Sequence, residues 1–105
     1  MTTSDQKLLT ICFDETDSYG DVPLYEAIVQ RLVQLGIAGA TVHRGIMGFG
    51  PNGLVHRKRL FGVSDDRPII ITVVDKEEKL LPILAEMRQM VAEGPIFLQD
   101  VTMVE

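Results

Sequence analysis

The feature that most constrains the fold is the run Pro-Ile-Ile-Ile-Thr-Val-Val at residues 68–74. It is β-branched almost throughout, which favours a strand because such side chains pack well on a pleated surface. Successive side chains of a strand point to opposite faces of the sheet. One face would therefore carry Ile69, Ile71 and Val73, and the other Ile70, Thr72 and Val74. Both faces are apolar, so both are expected to be covered.

The rest of the chain divides into segments with the periodicity of strands and helices. We predict strands over residues 7–14, 37–46 and 96–104, an extended segment over 54–61, and helices from Pro23 to Gly36 and from Asp75 to Gly94. This order indicates an α+β fold of the ferredoxin-like type, β-α-β-β-α-β, with a four-stranded antiparallel sheet and both helices on one face. At 105 residues the chain is expected to be one domain, 1–105, with residues 1–6 disordered because residues 2–6 hold no apolar side chain.

Several residues mark the ends of the predicted helices. Pro23 suits a first helical turn, and Gly36 suits the turn that ends the first helix. Asp75 and Glu78 have the spacing of a capping box at the start of the second helix. Pro82 removes one backbone donor, so that helix is expected either to kink there or to begin just before it.

The charge distribution is uneven along the chain. The formal net charge of −5 argues against non-specific nucleic-acid binding. Residues 27–64, however, hold no Asp or Glu and carry five of the ten basic residues. The single cysteine, Cys12, cannot form an internal disulfide, and no apolar run approaches the roughly 20 residues needed to cross a bilayer. We therefore expect a cytoplasmic protein without direct membrane insertion.

The second apolar face of the sheet needs a partner. In an antiparallel sheet with helices on one face, the other face is normally polar. Here it would carry Ile70 and Val74 together with residues of the last strand such as Phe97 and Val101. Soluble monomers rarely keep such a patch exposed. We predict a homo-oligomer that packs sheet face against sheet face; the alternative is that the C-terminal strand or a loop folds over this face.

Residues 43–53 form a glycine-rich segment, His-Arg-Gly-Ile-Met-Gly-Phe-Gly-Pro-Asn-Gly. Residues 48–53 match the pattern G-x-G-x-x-G, but a dinucleotide fingerprint requires a helix directly afterwards, and an extended segment is predicted there. A more general chemistry remains, because glycines let backbone N–H groups approach an anion and arginines bind phosphate or carboxylate. The candidate anion-binding residues are Arg44, Gly45, Gly48, Gly50, Arg57, Lys58 and Arg59. The alternative is a mobile, solvated basic hairpin in which the glycines serve only for turns.

Three stretches of the sequence resemble a known family. They are residues 24–29 (Leu-Tyr-Glu-Ala-Ile-Val), residues 39–50 (Gly-Ala-Thr-Val-His-Arg-Gly-Ile-Met-Gly-Phe-Gly) and residues 66–68 (Asp-Arg-Pro). Together they are similar to the PII-like domain-of-unknown-function family 190, and the resemblance extends over residues 7–104. It implies a ferredoxin-like fold, a PII-like homotrimer, and a flexible T-loop-like segment at residues 47–60.

The resemblance also implies a function. PII relatives bind adenine nucleotides in clefts between subunits, at the base of the T-loop, and use the loop to contact membrane transporters or enzymes. The base of that loop corresponds to Arg44, Gly45, Gly48 and Gly50, and its returning limb to residues 57–59. The leading hypothesis is a non-enzymatic sensor that binds a small anion, with an adenine nucleotide as the candidate effector. Met47 and Phe49 would then contact a partner protein or tuck into the subunit interface.

Two other function classes stay open at this point. The soft metal ligands are Cys12, His43 and His56, which lie in three segments without zinc spacing, so a copper-tolerance-like metal-binding trimer is the second hypothesis. A constitutive interaction module that senses no ligand is the third. The acidic turn over residues 14–21 does not match a calcium loop and is expected to be solvated. No nucleophile or carboxylate pair forms a recognisable catalytic set, so we do not predict an enzyme and assign no catalytic or resident metal site.

Overall fold

The computed structural model describes residues 1–50 and 67–105, and the backbone of residues 55–57. An antiparallel four-stranded sheet, in the order β4-β7-β1-β8, is built from β1 (Thr3–Asp14), β4 (Thr41–Arg44), β7 (Pro68–Asp75) and β8 (Ile96–Val104). In two small hairpins, β2 (Ser18–Tyr19) pairs with β3 (Val22–Pro23), and β5 (Met47–Phe49) pairs with β6 (Val55–Arg57). The α-helices are α1 (Leu24–Gln34), α2 (Glu77–Leu80) and α3 (Leu84–Met90). The predicted α+β ferredoxin-like arrangement is confirmed.

β7 lies inside the sheet, between β4 and β1, and its residues alternate between buried and half-buried positions. Ile71 and Val73 are buried and lie opposite Ile11 and Leu9 of β1. Ile69 is buried as well, whereas the alternate side chains are half-buried: Ile70, Thr72 and Val74. The predicted assignment of these two sets to opposite faces is confirmed.

The helices cover one face of the sheet. Their buried apolar residues form a single cluster with those of β1 and β7. The helical regions contribute Leu24, Ile28, Leu32, Leu80, Ile83, Met87 and Val91. α1 ends as predicted: Gly36 has a φ of 75°, a left-handed conformation that costs glycine little because it has no Cβ. None of the helices within the described residues is long and apolar enough to cross a bilayer.

Pro82 interrupts the second helical region, as predicted. α2 ends at Leu80, Leu81–Ile83 forms a 3₁₀ turn around the proline, and the α-helix resumes at Leu84. Proline has no N–H to donate to the carbonyl four residues earlier, so an α-helical hydrogen bond is missing at Pro82. The chain forms a 3₁₀-type hydrogen bond there, from the Leu84 N–H to the Leu81 carbonyl.

The predicted capping box at Asp75 and Glu78 is wrong. The Asp75 carboxylate accepts hydrogen bonds from the backbone N–H groups of Ala38 (2.9 Å) and Lys76 (2.8 Å), and no side chain caps α2. Asp75 is buried at the end of β7, and its carboxylate bridges the backbone just before α2 and the segment that precedes β4. It therefore ties the sheet to that segment.

Two strand boundaries also differ from the prediction. Residues 3–6, for which disorder was expected as part of residues 1–6, belong to β1 and pair with β8, from Thr3 opposite Val104 to Gln6 opposite Val101. A ladder of backbone hydrogen bonds does not require apolar side chains, so the polar composition of this segment was misleading. β4 is shorter than the predicted 37–46, because the Ala38 N–H bonds to the Asp75 side chain in place of a strand carbonyl.

We call the sheet face away from the helices the open face. It carries the apolar residues Leu8, Cys12, Ile70, Val74, Phe97, Val101 and Met103, together with the polar residues Ser4, Gln6, Thr10, Thr41, His43, Thr72 and Gln99. Most of these side chains are half-buried, and Phe97 is 53% exposed. Because the described helices pack on the other face, none of them covers the apolar side chains of the open face.

Candidate functional site

The ends of β1 and β4 and the start of β7 lie at the same end of the sheet and bring candidate site residues together. β1 ends at Asp14, which lies opposite Pro68 at the start of β7, and Arg44 at the end of β4 lies opposite Ile69. The chain therefore brings together Glu15, which follows β1, Arg67, which precedes β7, and Gly45, which follows β4. We refer to this group as the loop base: Glu15, Arg44, Gly45, Arg67 and Pro68.

Backbone hydrogen bonds fix the loop base. The N–H of Gly45 donates to the carbonyl of Pro68 at 2.7 Å, and the N–H of Glu15 donates to the carbonyl of Arg67 at 2.9 Å. Arg67 and Pro68 are thus held from two sides, by the chain that leaves β1 and by the chain that enters the glycine-rich segment. The sheet therefore sets the positions of these backbone segments.

Arg44 and Glu15 form an ion pair between Arg44 Nη2 and Glu15 Oε2. The Glu15 side chain is 13% exposed, whereas the Arg44 side chain is 49% exposed. Water and salt screen a partly buried pair less than a surface pair, and hydrogen bonds between guanidinium and carboxylate are strong. The expectation that the acidic turn is solvated is wrong for Glu15, because the cation at the end of β4 holds its carboxylate inside.

Two further polar atoms of the loop base are buried. Glu15 Oε1 and Arg67 Nε have no hydrogen-bond partner among the described residues. Leaving a buried polar atom unpaired costs on the order of 1–3 kcal/mol. The loop base therefore contains one acceptor and one donor that a rearrangement or a ligand could satisfy.

Contact with Pro68 explains why two of the candidate positions are occupied by glycine. A Cβ at position 45 would lie 2.6 Å from Pro68 Cγ, and a Cβ at position 48 would lie 3.2 Å from the same atom. Pro68 can pack in this place because Gly45 and Gly48 have no side chain. Gly50 is different, since no described atom lies within 4 Å of a Cβ built there. Two of the three glycines thus have a packing role independent of any anion.

The glycine-rich segment continues into the hairpin of β5 and β6. Met47 lies opposite Arg57, and Phe49 lies opposite Val55. Met47 and Phe49, the predicted partner contacts, are exposed in the single chain. The side chain of Arg57, the residues Lys58 and Arg59, and most of the predicted segments 54–61 and 47–60 beyond the two strands lie outside the described part of the chain.

The metal-ligand candidates within the described residues do not converge. Cys12 and His43 both lie opposite Ile70, one on β1 and the other on β4, so their backbones are roughly 9–10 Å apart across β7. His43 Nε2 is 3.3 Å from Thr72 Oγ1, and burial raises the pKa of the Cys12 thiol, which disfavours the thiolate that binds metals. Nowhere in the described ranges are three His, Cys, Asp or Glu side chains placed to hold a metal ion. The side chain of His56 lies outside these ranges.

Comparison with protein families gives a match over almost the whole chain. The model of domain-of-unknown-function family 190 (DUF190), described as an uncharacterized ACR, matches residues 6–103. The chain belongs to the DUF190 family. It is 32% identical over 99 residues to a UPF0166 protein of Aquifex aeolicus (strain VF5), covering 94% of this chain and 93% of the relative. It is also 34% identical over 95 residues to a UPF0166 protein of Methanocaldococcus jannaschii, with coverages of 90% and 87%.

Solved structures of PII-like proteins share the fold of this DUF190 chain. One is CPII, a nitrogen regulatory PII-like protein from Thiomonas intermedia K12, bound to ADP, AMP and bicarbonate. It has a TM-score of 0.75 at 22% identity, covering 97% of this chain and 91% of CPII. A protein from Thermus thermophilus that is described as PII-like has a TM-score of 0.68 at 20% identity, with coverages of 99% and 94%. The family and the PII-like fold predicted from the sequence are confirmed.

Proposed function

We propose that this DUF190 protein is a PII-like regulatory protein whose loop base binds the anionic part of an adenine nucleotide. The observation that carries the proposal is the position of Arg44. It presents a half-exposed guanidinium at a strand end, beside the glycine-rich segment, on a fold shared with a protein solved with ADP, AMP and bicarbonate. Guanidinium groups bind phosphate through paired hydrogen bonds, and a backbone position held by a sheet needs little ordering on binding.

The proposed assembly is a cytoplasmic homotrimer with nucleotide sites in the clefts between subunits. The open face supports association, because a single chain leaves Phe97 53% exposed among half-buried apolar neighbours. Burying a side chain of this size contributes roughly 1.5–3 kcal/mol. In such an assembly a second chain would line part of the cleft next to the loop base.

The proposed output is a change in the hairpin of β5 and β6. This hairpin begins at Met47, two residues after Gly45, and the side chains of Met47 and Phe49 are exposed. An effector at Arg44 that binds one hairpin arrangement better than another would shift the population toward it. The two exposed apolar side chains would then fit a target, such as a membrane transporter or an enzyme, differently. In this proposal the protein regulates its target and catalyses no reaction.

Calorimetric titration with ADP, AMP and bicarbonate tests the proposal. Wild type is compared with Arg44→Gln and with Lys76→Gln, which removes the same charge at the exposed residue that follows the other end of β7. Glutamine is chosen at position 44 because a glutamate would place a second carboxylate against Glu15. We expect wild type and Lys76→Gln to bind the same ligand equally, and Arg44→Gln to bind it at least about tenfold more weakly. Failure of wild type to bind either ADP or AMP, or equal binding by Arg44→Gln, would contradict the proposal.

A further inference from the structure

The guanidinium of Arg44, to which the effector would bind, is already paired with the Glu15 carboxylate. The carboxylate comes from the turn after β1 and the guanidinium from the end of β4, and these two strands flank β7. The contact is therefore made by the order of strands in the sheet. The two residues are distant in the sequence, so sequence proximity does not explain their contact.

Glu15 is held in this place by its own backbone. Its N–H donates to the Arg67 carbonyl at 2.9 Å, and its side chain is 13% exposed. A glutamate that met Arg44 only at the protein surface would be largely solvated and its contact would contribute little. Here the carboxylate lies inside, while about half of the Arg44 side chain stays open to an approaching ligand.

The contact is also incompletely satisfied. Glu15 uses Oε2 for Arg44, whereas Glu15 Oε1 and the nearby Arg67 Nε are buried without a partner in the described part of the chain. Less is lost on opening such an arrangement than on opening one in which every buried polar atom is paired. The Glu15 carboxylate is thus suited to being exchanged for another anion at Arg44.

We propose that Glu15 is an internal competitor of the effector at Arg44. In the free protein its carboxylate neutralises the guanidinium; on binding, a phosphate oxygen of the nucleotide takes that place and the carboxylate is released. This inference rests on the proposed function, because it assigns Glu15 a role at the same site. A ligand has to bind Arg44 better than a carboxylate does, which selects for a phosphate group that carries more than one negative charge.

Removal of the competitor tests the inference. ADP and, separately, AMP are titrated into wild type, Glu15→Gln and Glu26→Gln, the last of which removes the same charge from an exposed position of α1. We expect Glu15→Gln to bind ADP at least about threefold more tightly than wild type, and Glu26→Gln to bind like wild type. Binding by wild type and Glu15→Gln with equal affinity, or weaker binding by Glu15→Gln, would overturn the inference alone. Absence of ADP and AMP binding in both would overturn the proposed function and the inference with it.

A second measurement needs no substitution, in case Glu15→Gln does not fold. The side-chain carboxyl carbons of wild type are followed by NMR during titration with ADP. We expect the Glu15 signal to shift as ADP saturates the protein, because its carboxylate leaves the guanidinium, while the Glu26 signal stays in place. A Glu15 signal that does not move at saturation would overturn the inference.

Discussion

Gly45 lies so close to Pro68 that a Cβ at position 45 would be 2.6 Å from Pro68 Cγ and 3.4 Å from the Pro68 carbonyl oxygen. The same two residues are joined by the 2.7 Å hydrogen bond from the Gly45 N–H to that carbonyl. A proline ring cannot swing aside as a flexible side chain would. The glycine-rich segment is therefore anchored to the first residue of β7, directly after Arg44.

This packing predicts a compensating pair of substitutions. Gly45→Ala is expected to lower the free energy of unfolding by about 1–3 kcal/mol, because the new methyl group overfills the contact with the proline ring. Pro68→Ala removes Cγ, so the double variant should lose less stability than the sum of the two single variants. Urea unfolding of wild type, both single variants and the double variant measures this coupling.

Gly50→Ala is the matched control for that cycle. It adds the same methyl group at a glycine whose Cβ would have no described atom within 4 Å. Its free energy of unfolding should stay within about 1 kcal/mol of wild type. If Gly45→Ala is as stable as Gly50→Ala, or if the effects of Gly45→Ala and Pro68→Ala simply add, the packing role of Gly45 is wrong.

Gly94→Ala is predicted to be severely destabilising. A Cβ at position 94 would lie 2.0 Å from the Cys12 carbonyl oxygen, and Gly94 has a φ of 128°. The Cys12 N–H donates to the Pro95 carbonyl at 3.0 Å, which fixes the close approach of the two backbones. We expect a loss of more than about 3 kcal/mol, from the clash and the backbone strain together.

Gly39→Ala serves as the control for Gly94→Ala. No described atom lies within 4 Å of a Cβ at position 39, and its φ is not in the left-handed region. Thermal unfolding should therefore separate the two variants clearly, with Gly39→Ala within about 1 kcal/mol of wild type. Equal melting temperatures would mean that the backbone approach between Gly94 and Cys12 is not maintained in solution.

Patterns between neighbouring residues were enough to predict most of the fold. Alternation along residues 68–74 separated the two faces of β7, Gly36 marked the end of α1, and Pro82 marked the interruption of the second helical region. Each of these depends on a local property: the period of a strand, a left-handed glycine, or a missing N–H. The end of β4 at Arg44 was not predicted in this way: the predicted strand ran to residue 46, and only the family resemblance placed Arg44 at the base of the loop.

Partners that are distant in sequence were not predictable in the same way. Asp75 has the spacing of a helix cap, but its carboxylate bonds the N–H of Ala38, 37 residues away. Glu15 was assigned to a solvated turn, although the fold places it beside Arg44. The contact between Glu15 and Arg44 could be inferred only by combining the positions of the two residues in the sequence with the order of the strands in the sheet. In the observed sheet β1 and β4 both flank β7, so an acid that follows one strand and a base that ends the other become neighbours.

Phe97→Glu is predicted to break the proposed homo-oligomer. Phe97 lies opposite Thr10 on the open face and is 53% exposed in the single chain. A carboxylate enclosed between two sheet faces would lose its hydration without gaining a partner, which costs several kcal/mol. Light scattering should give a trimer mass for wild type and a smaller mass for Phe97→Glu.

Val33→Glu is the matched control for this variant. Val33 is an apolar residue that is 73% exposed on α1, and the helices pack on the other face of the sheet. Val33→Glu should keep the mass of wild type. A wild-type monomer at micromolar concentration, or a Phe97→Glu protein with an unchanged oligomer mass, would contradict the role of the open face.

Arg31 connects α1 to α3 through two hydrogen bonds to Glu86. Arg31 Nε donates to Glu86 Oε2, and Arg31 Nη2 donates to Glu86 Oε1 at 3.1 Å. The hydrogen bonding from Arg31 lowers the pKa of the Glu86 carboxyl below its ordinary value. Arg31 Nη1 also donates to Gln34 Oε1 at 3.2 Å, and this hydrogen bond does not involve Glu86.

The lowered pKa of Glu86 predicts the sign of a pH dependence. A carboxyl group with a lower pKa in the folded than in the unfolded state stabilises the fold above the unfolded pKa. That contribution disappears as the pH falls through the folded pKa. Arg31→Gln should therefore be less stable than wild type near neutral pH and equal to it below the lowered pKa of Glu86. NMR titration of the Glu86 carboxyl carbon should give a higher pKa in Arg31→Gln and an unchanged pKa in Gln34→Ala, which leaves both hydrogen bonds to Glu86 in place. If the pKa of Glu86 is the same in Arg31→Gln and wild type, the ion pair between the two helices does not form in solution.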